Sequence, residues 1–337
     1  MIGASSIGIE ALLEPVARSD GLHVHRIAAR RAGAARPYAS RWGVQHVSTD
    51  YADVLTDPDV DAVYISNAAA DHAHWAISAL HEGKHVLCEK PIGVSGAEAR
   101  AIKDAAAHAG RIVMEGFHYR FHPLFSALQH LVSTECFGPL TSIRSVVNGS
   151  REYDPASLLH VAALGGGSLL HNGVYAVHWS RLLFNSEPVA VSAQQRLNPS
   201  GADSETMAEL QFTDGRTADL HCSFDRSDPV SITLAFRDAM VVAIGPIAPH
   251  HGHSIRIIPT EGPSRVSTVA GRTSFDYQLK EFVRRVEGAS APDGLHLPNR
   301  RGDDIAANLD VIDAIFLAAV TKGTEVVGGP DSEVPAM

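Results

Sequence analysis

The run DAVYISNAAADHAHWAISALHEGKHVLC occupies residues 61–88. Its β-branched and apolar residues predict strands at Asp61–Ser66 and His85–Cys88, and the Ala-rich segment between them predicts a helix over Asp71–Glu82. A strand, a helix and a second strand over about 30 residues form a βαβ unit, whose two strands are parallel.

The same alternation continues on both sides of this run. Upstream it predicts a strand at Leu22–Ala29 and a helix at Ala32–Trp42, and downstream a helix at Ser95–His108 and a strand at Arg111–Met114. Repeated βαβ units predict a parallel sheet with helices on both faces. We expect this α/β domain to cover residues 1–121.

The pattern changes after His122, where strands follow one another with few helices between them. The predicted strands are Thr141–Ser150, Val189–Leu197, Met207–Thr213, Thr217–Phe224 and Ser231–Phe236. Two helices are expected to close the chain, and in Asp304–Val320 the apolar residues recur at helical spacing. We therefore predict an α+β domain with a largely antiparallel sheet over residues 122–327, and a poorly ordered Gly/Pro-rich tail over residues 328–337.

Composition excludes several classes of protein. The 337 residues carry a net charge of −10, which opposes binding to nucleic acid or to an anionic membrane surface. No apolar run approaches the roughly 20 residues of a membrane span. Three widely spaced cysteines indicate neither disulfides nor zinc, so we expect a cytoplasmic protein. The histidines of Pro249–His253 have no carboxylate or cysteine near them in sequence, and no metal site is predicted.

A glycine-bearing loop opens the chain. Gly3-Ala4-Ser5-Ser6-Ile7-Gly8 has the spacing of the phosphate-binding G-x-G-x-x-G turn, with Ser5 at the second glycine. Such a turn directs helix N-terminal amides at a diphosphate, so Gly3, Ser5, Ser6, Ile7 and Gly8 are candidate cofactor-binding residues. Only Met1 and Ile2 precede the loop, although a first strand needs about five residues. Either the native chain starts further upstream, which we favour, or this strand is stunted.

The end of the second predicted strand indicates which dinucleotide binds. A carboxylate usually binds the ribose 2′-hydroxyl there, about 20 residues after the loop, but this chain has Ala28-Ala29-Arg30-Arg31. Two guanidinium groups suit the 2′-phosphate of NADP, because Arg forms bidentate, charge-assisted bonds with phosphate. Two solvated arginines at a helix start would give the same pattern. We expect NADP, with NAD possible.

Three further blocks of sequence resemble a known family. They are Gly83–Pro91 with Glu89-Lys90-Pro91, Met114–Pro123, and the Gly-rich Gly165–Leu170 running to Tyr175. In this order they resemble the glucose–fructose oxidoreductase/inositol dehydrogenase (Gfo/Idh/MocA) family, and Phe275–Gln278 is similar to its dihydrodiol-dehydrogenase-like branch. The resemblance implies an N-terminal Rossmann domain, here with a truncated first strand, and a C-terminal open-faced β-sheet domain. It also implies a homo-oligomer, dimer or tetramer, that transfers a hydride between NAD(P) and a sugar, polyol, or cyclic diol or ketone.

The resemblance also implies catalytic residues. Lys90 lies at the family's lysine position, with Glu89 placed to orient it and to border the cofactor, and Tyr175 matches the family's acid/base position. His171 stands where the family has aspartate. Neutral histidine can accept and donate hydrogen bonds, and its pKa near 6.5 permits acid/base work. The replacement therefore predicts an altered substrate, a proton relay through His171 or weakened catalysis, unless His171 only packs at the helix start.

The remaining candidates follow from position. Ser66, Ala68 and His72 lie after a predicted strand and are cofactor-binding candidates, although His72 fits helix packing equally well. Ala68-Ala69 replaces the family's Pro-Asn beside the nicotinamide, which puts that contact in doubt. Candidate substrate contacts are Lys90, His171, Tyr175, Tyr119, Arg120 and His122.

Two other functions fit the same residues. One is a glycosidase-type member of the family, in which bound NAD oxidises and re-reduces a sugar without net turnover. The other is a catalytically weak NADP(H)-binding sensor or assembly protein, which the missing aspartate and short first strand favour. The leading prediction is an NAD(P)-dependent dehydrogenase or reductase.

Overall fold

The computed structural model describes residues 1–290 and 303–327. Within these residues the chain forms two compact units. The first contains Met1–Val94, Glu98–His118 and residues 275–290, and the second contains Ser95–Ala97, Tyr119–Ser274 and residues 303–327. The predicted tail, residues 328–337, lies outside the described residues.

The first unit alternates strands and helices. Its strands are β1 (Arg26–Ala28), β2 (His46–Ser48), β3 (Ala62–Ile65), β4 (His85–Cys88) and β5 (Val113–Glu115). Its helices are α1 (a π-helical turn at Ile9–Leu13 continuing as Glu14–Ala17), α2 (Ala32–Trp42), α3 (Ala52–Leu55), α4 (Ala69–His81), most of α5 (Gly96–Ala109) and most of α8 (Ser274–Val286). The buried residues of α4 recur every three or four positions and give it one apolar face, as the sequence predicts.

All strand pairs of this unit are parallel. β1 pairs with β2, and β4 lies between β3 and β5. Ile2 forms one parallel bridge to Ala28 of β1 and another to Ile65 of β3, and so joins the β1–β2 pair to the β3–β4–β5 sheet. The first strand, which was predicted to be short, therefore consists of Ile2 alone. β1 begins at Arg26 and not at the predicted Leu22, because its partner β2 begins at His46, the residue opposite Arg26.

The second unit is built on a nine-stranded sheet. Its strands are β6 (Leu140–Asn148), β7 (Ala190–Leu197), β8 (Asp203–Gln211), β9 (Thr217–Ser223), β10 (Ser231–Phe236), β11 (Ala239–Ile244), β12 (Ser254–Pro259), β13 (Arg265–Ser267) and β14 (Thr324–Val326). The order is β13-β12-β11-β10-β6-β9-β8-β7-β14, in which β6 and β9 are parallel and all other neighbours antiparallel. The predicted fold class is confirmed, although strands β11–β14 were not predicted.

Helices cover one face of this sheet. They include α6 (Pro123–Ser133), α7 (a π-helical turn at Leu169–Gly173 continuing as Val174–Phe184) and α9 (Ile305–Thr321). α7 packs on β6 and β9, and α9 on β7. We define the outer face as the opposite, partly exposed side, which includes Ser192, Gln194, Met207, Glu209, Asp219, His221, Arg144, Thr233, Met240 and Val242. None of the described helices is long and apolar enough to cross a membrane.

Candidate active site

The glycine turn lies at the carboxyl end of the parallel sheet. Gly3 has a φ of +88°, and a Cβ there would lie 2.9 Å from the backbone nitrogen of Asn67. The Gly3 amide donates to the Ala28 carbonyl oxygen at 2.9 Å. Only glycine tolerates both the positive φ and this close approach to the end of β3. The first glycine of the predicted motif is therefore required by the backbone itself.

Ser5, which stands at the second glycine position of the motif, forms two hydrogen bonds through its hydroxyl. Its hydroxyl donates to the Ser66 hydroxyl oxygen at 2.8 Å and accepts from the Gly8 amide at 3.3 Å. The loop is thus tied to the end of β3. The π-helical turn that follows has no side-chain cap, and the leading amides of a helix have no intrahelical acceptors. A diphosphate fits this set of donors.

The two arginines follow β1 at the same sheet edge. Arg30 and Arg31 are exposed, and Arg31 is the extended residue that precedes α2. The start of α2 also has no side-chain cap. Two guanidinium groups beside a helix N-terminus are a suitable environment for a phosphate monoester.

Glu89 and Lys90 directly follow β4. Glu89 is buried and its Oε1 accepts from the Tyr64 hydroxyl at 2.8 Å. Burial raises the pKa of Glu89, while the Tyr64 hydrogen bond and the charge of Lys90 oppose this shift. Two residues beyond Lys90, the Ile92 amide donates to Glu115 Oε1 at 2.9 Å. The backbone that carries Lys90 is therefore held on both sides.

His72 supports this segment from α4. Its ring is buried, with Nδ1 2.7 Å from the Pro91 carbonyl oxygen and Nε2 3.2 Å from that of Asn67. Burial lowers the pKa of His72, and the two carbonyl contacts oppose that effect. Both ring nitrogens thus face backbone, so the structure supports helix packing as the role of His72, and its proposed contact with cofactor stays a prediction.

Asn67 was missed by the sequence analysis, although Ser66 and Ala68 on either side were named. Both polar atoms of its carboxamide are buried, and neither has a hydrogen-bond partner among the described residues. Buried polar groups are nearly always paired, so this exception is notable. Its position after a parallel strand was the only signal in the sequence.

In the second unit, α7 carries His171 and Tyr175 behind the Gly-rich segment. Gly167 has a φ of +125°, and a Cβ there would collide with Asp203 Oδ1. Asp203 Oδ2 accepts from the Ser168 hydroxyl at 2.6 Å, from the Leu169 amide at 2.8 Å and from the Thr206 hydroxyl at 2.8 Å. Asp203 on β8 therefore caps the start of α7. Its side chain also leaves no room for a Cβ at Gly167, which explains the glycine at that position.

Replacing Asp203 with Ala is expected to lower the free energy of unfolding by about 2–4 kcal/mol, because three buried donors lose their acceptor. Burial raises the pKa of Asp203 against the opposing effect of its hydrogen bonds. The folded state therefore holds this proton more tightly, and the group's contribution to stability falls as pH rises above its ordinary pKa of about 4. Urea unfolding at several pH values measures both effects.

Asp203→Asn is the matched control, because it keeps an oxygen acceptor without the charge. We expect it to be more stable than Asp203→Ala and to lack the pH dependence. An Ala variant as stable as the wild type would show that Asp203 does not hold α7.

The His171 ring is held through its Nε2 atom by a backbone carbonyl group. Nε2 lies 3.1 Å from the Gly165 carbonyl oxygen, which can only accept, so Nε2 carries the hydrogen. In the neutral ring Nδ1 then holds the lone pair. This tautomer offers an acceptor, as the family aspartate would.

Tyr175 lies within an aromatic cluster. Its ring is 7% exposed, and ring centroids of Tyr119 and Trp179 lie 5.9 and 6.5 Å away. Tyr119 is fully buried, and its hydroxyl lies 2.7 Å from Nδ1 of His178. The Tyr119 ring therefore packs against the Tyr175 ring, and the proposed contact of Tyr119 with substrate stays a prediction.

Arg120 and His122 are also engaged inside the second unit. Buried Arg120 forms an ion pair with Asp303 at 3.0 Å. Nδ1 of His122 accepts from the Leu124 amide at 3.0 Å and caps α6. Burial, then the neighbouring His253 and His250, lower the pKa of His122 to about 4, so the ring is neutral at physiological pH. Both remain only predicted substrate contacts.

The structure therefore collects the cofactor candidates at one edge of the parallel sheet. They are Gly3, Ser5, Ser6, Ile7, Gly8, Arg30, Arg31, Ser66, Ala68, Glu89 and Lys90. His171 and Tyr175 share α7 in the second unit. Ligands of open parallel sheets bind at the carboxyl ends of the strands. The fold and the glycine turn thus define a dinucleotide-binding oxidoreductase.

Comparison with known proteins agrees. The sequence model of the oxidoreductase family with an NAD-binding Rossmann fold matches residues 1–117, and that of the GFO/IDH/MocA C-terminal domain matches residues 125–262. The chain belongs to the GFO/IDH/MocA family of NAD(P)-dependent oxidoreductases.

Individual relatives match over most of the chain. An uncharacterized oxidoreductase of Rhizobium meliloti is 32% identical over 86% of this chain and 87% of its own length. An NADP(+)-dependent D-xylose 1-dehydrogenase of Haloferax volcanii is 28% identical over 95% and 97%. The structure of aldose-aldose oxidoreductase from Caulobacter crescentus, complexed with glycerol, superimposes with a TM-score of 0.85 at 24% identity, over 96% of this chain and 98% of that one.

Proposed function

We propose that this protein is an NADP-preferring dehydrogenase or reductase that acts on a hydroxyl or carbonyl group of a sugar, polyol or cyclic diol. The observation that carries the proposal is the held segment around Lys90. It presents an amine at the carboxyl end of β4, the sheet edge where the glycine turn and the two arginines also lie. The similarity to a D-xylose 1-dehydrogenase supports the substrate class.

The residues divide the chemistry between them. The nicotinamide, when bound, supplies or accepts the hydride. Lys90 stabilises negative charge on the reacting oxygen, and Tyr175 gives or takes its proton. His171, with its hydrogen on Nε2, accepts a hydrogen bond at Nδ1 and orients a substrate hydroxyl.

A substrate panel tests this proposal directly. Sugars, inositols and dihydrodiols are assayed with NADP+ and NAD+ at the nicotinamide absorbance band. Turnover of one of them with NADP+ supports the dehydrogenase. Cofactor binding without turnover would support the sensor, and sugar cleavage without net cofactor change would support the glycosidase-type reaction.

Removing the two arginines is expected to weaken NADP+ selectively. Charge-assisted bonds contribute about 1.5–3 kcal/mol each, so the double variant Arg30→Ala/Arg31→Ala should raise the Kd of NADP+ at least about tenfold. The Kd of NAD+, which lacks the 2′-phosphate, should change little. Titration by quenching of intrinsic fluorescence measures both.

Arg36→Ala is the control for general charge, because Arg36 is exposed on the same helix. It should leave the Kd of NADP+ unchanged. Equal weakening of NADP+ and NAD+ by the double variant would contradict recognition of the 2′-phosphate.

We also propose that the protein is a cytoplasmic homo-oligomer that associates through the outer face. Nine strands spaced about 4.8 Å apart make this face roughly 40 Å wide, enough for a standard interface. It exposes Met207 and Met240 between opposite charges such as Arg144 and Asp219, which suits a second copy of the same surface. Light scattering coupled to gel filtration tests the proposal, and a monomer at micromolar concentration would refute it.

A further inference from the structure

A tyrosine–histidine pair lies behind Tyr175 and has no role in the proposed chemistry. The Tyr119 hydroxyl and His178 Nδ1 are 2.7 Å apart, within hydrogen-bond distance, and both side chains are at most 1% exposed. His178 follows Tyr175 by three residues on α7, whereas Tyr119 precedes α6. The pair thus joins the helix of Tyr175 to a separate segment of the second unit.

The ring of Tyr119 is packed edge-on against four other rings. Centroids of Phe125, Tyr175, His178 and Trp179 lie 5.0, 5.9, 5.8 and 6.0 Å away, with interplanar angles from 62° to 88°. Edge-to-face contacts depend on orientation, so a fixed Tyr119 restricts the rings around it. The hydrogen bond between its hydroxyl and His178 adds a directional restraint on the Tyr119 ring.

Stability alone does not account for this pair. Burying polar groups costs desolvation that their hydrogen bonds offset only modestly, and apolar side chains of similar volume would fill the same space. Fully satisfied buried polar groups do, however, select one arrangement of a core. The benefit is therefore orientation, and the ring that gains from it is that of Tyr175.

We infer that Tyr119 and His178 are positioning residues that hold the Tyr175 phenol in its reactive orientation. The inference rests on the proposed role of Tyr175. In this role the pair acts through Tyr175 and needs no substrate contact of its own. It acts by keeping the donor oxygen of Tyr175 in place, and small displacements of a reacting group cost large factors in rate.

The test compares three variants with similar local cost. Tyr119→Phe removes only the hydroxyl and keeps the ring. His178→Asn retains a polar atom near the position of Nδ1. Ser145→Ala is the control within the same cluster, because Ser145 accepts from Trp179 Nε1 at 2.6 Å and contributes nothing to the Tyr119 bond.

With the substrate found by the panel, Tyr119→Phe should lower kcat about tenfold and change KM less than about twofold. His178→Asn should retain kcat within about threefold of wild type, and Ser145→Ala should not lower it. In a Tyr175→Phe background, Tyr119→Phe should cause no further loss. Equal kcat for Tyr119→Phe and Ser145→Ala, or full additivity with Tyr175→Phe, would overturn the inference.

A crystallographic arm separates this inference from the proposed function. In crystals of Tyr119→Phe, the Tyr175 ring should adopt a second rotamer or a displaced position, while in Ser145→Ala it should stay in place. An unmoved Tyr175 ring in Tyr119→Phe overturns the positioning role even if the panel yields a substrate. A displaced ring supports it even if no panel compound is turned over.

Discussion

Tyr175→Phe is expected to lower kcat by about 100-fold or more, the usual scale for loss of an acid/base group. The variant removes one oxygen from a ring that is almost fully buried, so the aromatic cluster around it keeps its shape. The group that is lost is the proposed proton donor for the reacting oxygen. The Kd of NADPH should not change, because the phenol is assigned to substrate chemistry and not to the dinucleotide.

Steady-state kinetics and fluorescence titration of NADPH measure the two quantities separately. The thermal unfolding midpoint should stay close to that of the wild type and so show that the fold is intact. Tyr153→Phe is the matched control, because it removes the same phenolic oxygen from an exposed ring of the second unit and should keep wild-type kcat. Wild-type kcat in Tyr175→Phe would remove Tyr175 from the chemistry.

Most of the parallel sheet could be predicted because its signals are local, although β2 at His46–Ser48 was missed. In α4, buried alanines recur at helical spacing between two β-branched runs, and the observed helix at Ala69–His81 differs from the predicted one by two residues or fewer at each end. β1 was predicted too long, because its length depends on a neighbour. The central strand beside it consists only of the Ile2 bridge, which could not be predicted from residues 22–29 alone.

The second sheet was predicted in part. Strands β6, β7, β9 and β10 follow the predicted ranges closely, whereas β8 begins at Asp203 and not at the predicted Met207. β12 and β13 have mixed or exposed side chains and lack a clear alternation. β12 pairs with β11, and β13 in turn pairs with β12. α6 was also missed, since its cap is His122 and not one of the usual capping residues.

The candidate site was also predicted only in part. Lys90 and Tyr175 came from their resemblance to family motifs, and the contacts that hold them could not be read from the sequence. Asp203 caps α7 from 34 residues away, and Tyr119 reaches His178 over 59 residues. His178 follows Tyr175 by three residues on α7, but only the folded chain shows that His178 contacts Tyr119.

Lys90→Ala is expected to have an effect as large as that of Tyr175→Phe, with kcat lowered by about 100-fold or more. The cause is different. In the proposed mechanism Lys90 supplies positive charge beside the oxygen on which negative charge develops, and a neutral side chain cannot replace it. Lys90→Met, which keeps most of the length of the side chain without the charge, should be equally impaired, because packing is not what is lost.

Two measurements separate this role from a structural one. An added small primary amine should restore part of the activity of Lys90→Ala, because it can occupy the vacated space as a cation, and it should not restore Lys90→Met, whose side chain fills that space. Lys103→Ala, at an exposed position on α5, controls for the loss of one charge and should keep wild-type kcat. Burial raises the pKa of Glu89, and the charge of Lys90 opposes this shift. Glu89 should therefore become still harder to ionise in both Lys90 variants. Activity of Lys90→Ala equal to that of Lys103→Ala would refute the assignment of Lys90 to catalysis and leave the held segment around it without its proposed purpose.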